Sequence, residues 1–464
     1  VTGLLAGRSV LVAGAGVAGR GVAAALVAEG ARVVVADGDA ERLAALADLG
    51  VATALAPQEP PPGTELVVTS PGWRPDSPLL AAAAAAGVEV VGDVELAWRI
   101  AQELADPPTW LAVTGTNGKT STVMMLESML RAAGLDAVAC GNVGLPVVDA
   151  VRSGHSVLAV ELSSFQLHWQ SSMRAHASVV LNVAEDHLDW HGGMADYAAA
   201  KGKVHTGAKV VVHNTADEWS QRLAAEHQGT HVGFGLGTPR PGELGLVEDL
   251  LVDRAFVDDP QTMAEELFTL ADVRPQVPHA VANALAAAAL ARAHGVPADA
   301  VRRGLLDYQP GAHRSVPVGE LDGVRYVNDS KATNPHAAGS SLRAHESVVW
   351  IAGGLLKGAS VDELVREVAG RLRAAVLLGR DAEVVAASLA RHAPEVPVHR
   401  VPPGDDDPMT AAVRAARAAA RPGDVVLLAP AAASMDQFRD YAHRGDAFAG
   451  AVRDLLAGGA PGTG

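Results

Sequence analysis

The sequence predicts an α/β chain of three domains: a Rossmann-like domain over residues 1–105, a central domain with a mostly parallel sheet over 106–310, and a second Rossmann-like domain over 311–464. Three observations carry this reading. Short apolar runs recur along the chain and end in polar or glycine-rich residues, as buried parallel strands do. Two glycine-rich segments each follow such a run and lead into a helical pattern. Proline and glycine break the pattern at Pro107-Pro108 and at Pro310-Gly311, where the domain boundaries are set.

Length and composition agree with this division. At roughly 100 to 200 residues per domain, 464 residues allow two to four domains. Hydrophobic residues make up 49 % and charged residues 19 %, enough apolar surface for several cores and too much for a disordered chain. The formal net charge of −16 argues against binding nucleic acid through its phosphates, which needs a basic face. A single cysteine, Cys140, excludes an intrachain disulfide, and the expected compartment is a reducing cytoplasm. No run approaches the ~18 apolar residues of a spanning helix, so no membrane insertion is expected.

In chain order, Ser9 to Val35 reads as strand, turn, amphipathic segment and strand, the pattern of a βαβ unit. Glu65 to Ser70 is a further strand. Trp110 to Thr114 opens the central section, followed by strands at Ser156 to Val160, Ala177 to Leu181 and Lys209 to Val212 and by a helix at Val281 to His294. The alanine runs 81–86 and 284–289 read as ordinary helix filler. The last section has strands at Val324 to Val327, Ser347 to Ile351, Ala374 to Leu378, Val396 to Val401 and Asp424 to Leu428. Ligands of open α/β sheets gather beyond the carboxyl ends of strands, where the polar clusters of this chain fall.

The first glycine loop runs Gly14-Ala15-Gly16-Val17-Ala18-Gly19, with Asp37 ending the next strand. It is a complete G-x-G-x-x-G, suited to bringing backbone N–H groups against a diphosphate at a helix start. Alone it would favour an NAD-binding dehydrogenase. The second loop is Gly115-Thr116-Asn117-Gly118-Lys119-Thr120, between a strand and a helical segment. Its backbone can wrap phosphate oxygens, Lys119 can neutralise them, and the Thr120 hydroxyl can ligate Mg²⁺. Val113 stands where a full Walker A motif has glycine, but the shorter G-T-N-G-K-T form points to ATP and makes the central domain P-loop ATPase-like.

From this loop onward the chain resembles the Mur ligase family of ATP-dependent amide ligases. Glu161-Leu162-Ser163-Ser164-Phe165-Gln166-Leu167, Asn182 to Asp189 with Asp186-His187-Leu188-Asp189 at its end, and Tyr197-x-x-x-Lys201 match family segments in order. So do His313-Arg314, Asn328-Asp329-Ser330-Lys331-Ala332-Thr333-Asn334, Gly353-Gly354 with Lys357, and Ser434-Met435-Asp436-Gln437-Phe438. The later segments are most similar to the branch that adds D-glutamate to UDP-N-acetylmuramoyl-L-alanine through an acyl phosphate and a tetrahedral intermediate, releasing ADP and phosphate.

The resemblance also implies roles, residue by residue. Gly14, Gly16, Val17, Ala18, Gly19, Asp37, Ser70, Gly72, Asn142, Ser163 and His187 would face the UDP-sugar. Gly115, Thr116, Asn117, Gly118, Lys119, Thr120, Asn283, Arg314, Asp329 and Lys331 would hold ATP. Thr333, Lys357, Ser434, Met435 and Tyr441 would hold D-glutamate. Lys119, Glu161, His187 and Lys201 would be catalytic. Two Mg²⁺ ions are implied, on Thr120, Glu161, His187 and a carbamylated Lys201, together with a monomer that closes about a hinge near Gln309 to Ala312. Another Mur ligase or a folylpolyglutamate synthase would share the ATP machinery; a nucleotide-binding regulatory module would show no substrate-dependent phosphate release.

Overall fold

A computed structural model describes residues 5–402 and 406–458. Three sheets appear in the three expected sections. The first contains β1 (Ser9–Ala13), β2 (Arg32–Asp37), β3 (Ala52–Leu55), β4 (Leu66–Thr69) and β5 (Glu89–Gly92), all parallel, in the order β3-β2-β1-β4-β5. The switch in strand order beside β1 leaves a crevice at its carboxyl end, where the first glycine loop lies.

The central sheet contains β6 (Thr109–Thr114), β7 (Ala137–Gly141), β8 (Val157–Glu161), β9 (Ala177–Val180), β10 (Val210–Asn214), β11 (Thr230–Phe234), β12 (Glu243–Val247), β13 (Leu250–Asp253) and β14 (Glu265–Thr269). Its order is β14-β13-β12-β11-β10-β9-β6-β8-β7. It is parallel from β7 to β12 and antiparallel over the last two pairings, so the expected mostly parallel sheet carries a meander at one edge. The third sheet contains β15 (Val316–Leu321), β16 (Val324–Asn328), β17 (Val348–Ala352), β18 (Leu372–Leu377), β19 (Val398–Arg400) and β20 (Val425–Leu428), ordered β15-β16-β20-β17-β18-β19 with only β15 antiparallel.

The chain divides into two compact units. One holds the first two sheets and the helices up to Tyr308; the other begins at Gln309 and includes segments 184–186 and 274–279. Within the first unit the two sheets are joined by buried polar contacts. The Glu95 carboxylate, wholly buried, accepts the backbone N–H groups of Ser171 and Ser172, each at 2.8 Å, and the Ser172 hydroxyl at 2.6 Å, and pairs with Arg99. Burial pushes its pKa up, but the bonds from Ser172, Ser171 and Arg99 together hold it below the usual range. Gly92 donates its N–H to the Trp169 carbonyl at 3.1 Å, and a Cβ on Gly92 would lie 2.8 Å from the Trp169 Cβ, so only glycine permits this approach.

The helix Pro278–Ala293 departs from the reading of its alanines as filler. Residues Ala284 to Ala291 are fully buried, so this is a core helix. Methyl side chains let neighbouring elements close in on every face, which an amphipathic reading does not anticipate.

Asp93, at the start of the helix that follows β5, accepts a bond from Gln166 Nε2 at 3.0 Å on one oxygen, while Oδ1 has no hydrogen-bond partner. Burial pushes its pKa up to about 6. Because the folded value lies above the unfolded one, the neutral form is favoured, and stability is lost as pH rises through about 6. Asp93→Asn removes the buried charge while keeping an acceptor for Gln166. Relative to wild type, its unfolding free energy should therefore rise between pH 4 and pH 8 by on the order of 2 to 3 kcal/mol, read from denaturant titrations.

Candidate active site

The second glycine loop is built by its backbone. Gly115 has φ of +155° and Gly118 of +88°, and Gly118 caps the helix Lys119–Ala132. Asn182, just beyond β9, braces the loop: its carbonyl oxygen accepts the Thr116 N–H, its side-chain oxygen the Asn117 N–H, and its amide donates to the Asn117 carbonyl. The helix-start N–H groups of Gly118, Lys119 and Thr120 are the donors best suited to an anion. Asn283 reaches this loop from the buried alanine helix, its Oδ1 only 2.4 Å from where a Cβ on Gly118 would stand.

Two lysines converge on one oxygen. Lys119 Nζ lies 2.9 Å from the Gly115 carbonyl oxygen and 3.0 Å from that of Thr116, and Lys201 Nζ lies 2.9 Å from the same Gly115 oxygen. Lys201 is 1 % exposed, so its ammonium is enclosed by the protein. Its ammonium rests 4.5 Å from the centre of the Tyr197 ring, whose hydroxyl meets Thr116 Oγ1 at 3.0 Å.

Sheet register brings Glu161 to the same edge. It pairs with Val113 of β6 on one side and Gly141 of β7 on the other, so the residues that follow, Thr114 and Asn142, flank it. Glu161 is buried; Asn142 Nδ2 binds its Oε1 at 2.9 Å, and Oε2 has no hydrogen-bond partner. Ser163 then caps a short helix in a reciprocal box with Gln166. The Phe165 ring meets His187, which adopts φ of +53°, at 4.8 Å. His191 donates its backbone N–H to the His187 carbonyl at 3.2 Å. Burial, and then the neighbouring His168, Lys201 and His187, push the His191 imidazole down to about 4.

In the first glycine loop, Asp37 braces the turn: its carboxylate accepts the Ala15 N–H at 2.7 Å and the Asp39 N–H at 2.9 Å. A Cβ on Gly19 would stand 1.8 Å from the Gly14 carbonyl oxygen, so the helix can start on the loop only with glycine there. Gly16 and Val17 are exposed and Ala18 is half-buried at the helix start, while the buried Ser70 hydroxyl beside Gly14 has no hydrogen-bond partner. Gly72 is exposed, two residues on.

The second unit gathers its candidates at one sheet edge, because β16, β20 and β17 are neighbours. After β16 come Asp329, Lys331 and Thr333; after β17, Lys357, exposed with φ of +53°; after β20, buried Ser434 and exposed Met435. Burial pushes Asp329 up to about 6 while it accepts the Ser315 N–H at 3.1 Å, and Arg314 is half-buried beside that turn. Lys331 Nζ sits 3.9 Å over the Tyr441 ring. Sequence reasoning missed Arg444. Its guanidinium, 1 % exposed, bonds Ser330 Oγ at 3.0 Å, the Ser330 carbonyl at 2.9 Å and the Ala432 carbonyl at 3.0 Å, so it ties two candidate loops to the last helix.

The chain matches the sequence profile of the Mur ligase middle domain over residues 113–291 and that of the Mur ligase glutamate ligase domain over 313–432. A UDP-N-acetylmuramoylalanine–D-glutamate ligase of Thermobifida fusca is 57 % identical, covering 97 % of this chain and 99 % of its own. The enzymes of that name from Streptomyces coelicolor and Mycolicibacterium smegmatis are 56 % and 50 % identical, with coverage of 97 % and 98 % of this chain and 99 % of theirs. The chain belongs to the Mur ligase family.

Solved Mur ligases share the fold at low identity. The UDP-N-acetylmuramate-alanine ligase MurC of Thermotoga maritima aligns with a TM-score of 0.56 at 19 % identity over 97 % of this chain and 99 % of that one. MurF of Acinetobacter baumannii aligns at 0.58 and 18 % over 97 % and 91 %. Family membership absorbs the first glycine loop, which no longer argues for a dehydrogenase. Among the described residues of this Mur ligase no three His, Cys, Asp or Glu side chains form a metal cluster by themselves, and no helix is long and apolar enough to cross a membrane.

The Gly118–Asn283 approach yields a direct test. In Gly118→Ala the added methyl would occupy the space of Asn283 Oδ1 and hold a left-handed φ at a cost of roughly 1 to 2 kcal/mol. Displacement of a fluorescent ADP analogue should show affinity reduced at least about tenfold, with the helical circular dichroism unchanged.

Proposed function

We propose that this chain is an ATP-dependent acid–D-amino-acid ligase that joins D-glutamate to UDP-N-acetylmuramoyl-L-alanine, yielding ADP and phosphate, in peptidoglycan precursor synthesis. The observation that carries this is the 50 to 57 % identity, over nearly the full length, to ligases named for that reaction.

The chemistry asks for a carboxylate to be made electrophilic and then met by an amine. Two anions, the γ-phosphate and the substrate carboxylate, must first be brought together, and the lysines at Gly115 are suited to offset their repulsion. In this reading Gly115 to Thr120 hold the phosphates through backbone N–H groups, with Lys119 turning from the loop carbonyls to the γ-phosphoryl oxygens. Asn283 borders the nucleotide; Arg314, Asp329 and Lys331 are the second unit's contribution to ATP, the Arg314 fork suiting phosphate oxygens. Gly14, Gly16, Val17, Ala18 and Gly19, with Ser70, Gly72, Asn142 and Ser163, receive the UDP-sugar, and Asp37 holds the loop in shape for it. Thr333, Lys357, Ser434, Met435 and Tyr441 orient D-glutamate so that its amine faces the acyl phosphate.

Glu161 fits a Mg²⁺ ion: its buried Oε2 lacks a partner, and an anionic hard oxygen is what this cation takes. Thr120 would supply the neighbouring hydroxyl ligand, and His187 with Lys201 would serve a second ion. Bound Mg²⁺ would act as a Lewis acid that offsets charge on the phosphates and the substrate carboxylate. The chain acts in the cytoplasm as a monomer.

Lys201 is the residue we propose to be carbamylated. Its neutral amine would add to CO₂ and release a proton, replacing one of the two cations at Gly115 with an anion that Mg²⁺ accepts. Lys201→Ala should lower turnover at least about a hundredfold, with partial rescue by added short carboxylic acids that return an oxygen anion to the cavity. Full activity in that variant would refute the carbamate.

The reaction itself is checked by ADP release. It should require Mg²⁺, UDP-N-acetylmuramoyl-L-alanine and D-glutamate together, with L-glutamate at least about tenfold poorer, because a pocket holding both carboxylates aims the amine of one enantiomer. Equal turnover of L-glutamate would overturn the D-glutamate assignment.

A further inference from the structure

We infer that His191 is a positioning residue of the ligase reaction: its imidazole locks the Ser164–Phe165 turn, the His187 loop and the Tyr197 ring into one block that sets His187 and Lys201 in place. The inference rests on the proposed ligase reading.

Four contacts, all within the first unit, converge on this side chain and its backbone. His191 Nε2 meets Ser164 Oγ at 2.9 Å. Its ring lies parallel to that of Phe165, with a 3° interplanar angle and centroids 5.6 Å apart. The Tyr197 ring stands 5.3 Å away on the helix Met194–Gly202. The backbone N–H closes the turn onto the His187 carbonyl.

Each partner leads to a group with proposed chemistry. Phe165 packs edge-on against the His187 ring, and the turn it occupies follows Glu161 by three residues. Tyr197 carries Lys201 on its ring face and Thr116 of the phosphate loop on its hydroxyl. His187 lies in a short loop with left-handed backbone at its own position, and the residues after it form only a single turn of helix ending at Gly192. So brief an element has little cooperative stability of its own, and its ring position depends on what it packs against. His191 is the last residue of that turn and reaches both neighbouring segments.

A flat ring with a hydrogen-bonding edge performs both tasks together, stacking on Phe165 and bonding Ser164. Phenylalanine would keep the stack and lose the bond; glutamine would keep bonding reach and lose the stack. Both should misplace His187 and Lys201 by a fraction of an ångström to an ångström, for which losses of about ten- to a hundredfold in rate are typical. D-glutamate is proposed to bind on the second unit, so its KM should be untouched.

The test is steady-state ADP release by the full chain, comparing wild type with His191→Phe, His191→Gln and His191→Gly. Wild-type turnover with D-glutamate checks the reaction; the ratio of variant to wild type, taken with whichever amino acid the wild type accepts, checks the role of His191. The expected result is a kcat reduced about tenfold or more in the Phe and Gln variants, amino-acid KM within about twofold, melting temperature close to wild type, and added imidazole restoring part of the rate of His191→Gly. Wild-type kcat in His191→Phe and His191→Gln overturns the inference. So does a fall of kcat and melting temperature accompanied by a rise of all KM values and no imidazole rescue, because that is the signature of a merely structural residue.

Discussion

The carbonyl oxygen of Gly115 receives two ammonium groups, and much of the first unit is arranged so that it can. Lys119 and Lys201 thereby set two ammonium groups at the end of β6. The Gly115 carbonyl can point that way because its backbone lies at φ of +155°, with Leu181 and Asn182 crowding the space a side chain would take. Tyr197 holds Lys201 from below through its ring and Thr116 through its hydroxyl, so the second lysine is set by the loop it serves.

The two glycine loops use one device. In each, a residue from a neighbouring strand end occupies part of the backbone donor set: the Asp37 carboxylate takes the N–H of Ala15, while Asn182 takes that of Thr116 with its backbone carbonyl and that of Asn117 with its side-chain oxygen. Bracing by the chain's own oxygens shapes each loop ahead of the helix that follows it. Asp37 therefore fixes the geometry of the loop, a role its position in the motif does not reveal.

The second unit solves a related problem with a buried cation. Arg444 keeps its charge among three neutral oxygens, and burial pushes its pKa down to about 10. It joins the Asn328 to Asn334 loop and the segment after β20 to the helix that carries Tyr441, while Asn328 also holds the Gly445 carbonyl. Gly445 is confined to glycine because a Cβ would stand 2.2 Å from the His313 ring nitrogen. Two loops far apart in sequence are thus tied to the last helix at the carboxyl edge of β16 and β20.

By itself the sequence determined the α/β class, most of the strands that end in candidate loops, both glycine turns and the order of the motif residues, because each depends on local periodicity and on residue types a few positions apart; β7, which leads into Asn142, was not among them. Short exposed or edge strands such as β3 and β13 to β14 were not legible, since their apolar content is too low or too brief to mark a strand. Burial also escaped it: neither the enclosure of Lys201 nor that of the alanines of the helix Pro278–Ala293, taken as ordinary helix filler, is marked by residue type or spacing, and only packing shows it. The partners of Glu161, His191, Asp93 and Arg444 lie 19 to 114 residues away for their defining hydrogen bonds. Spacing in sequence carries no information about such contacts; sheet register and helix docking decided them, because they alone bring distant side chains within hydrogen-bond reach.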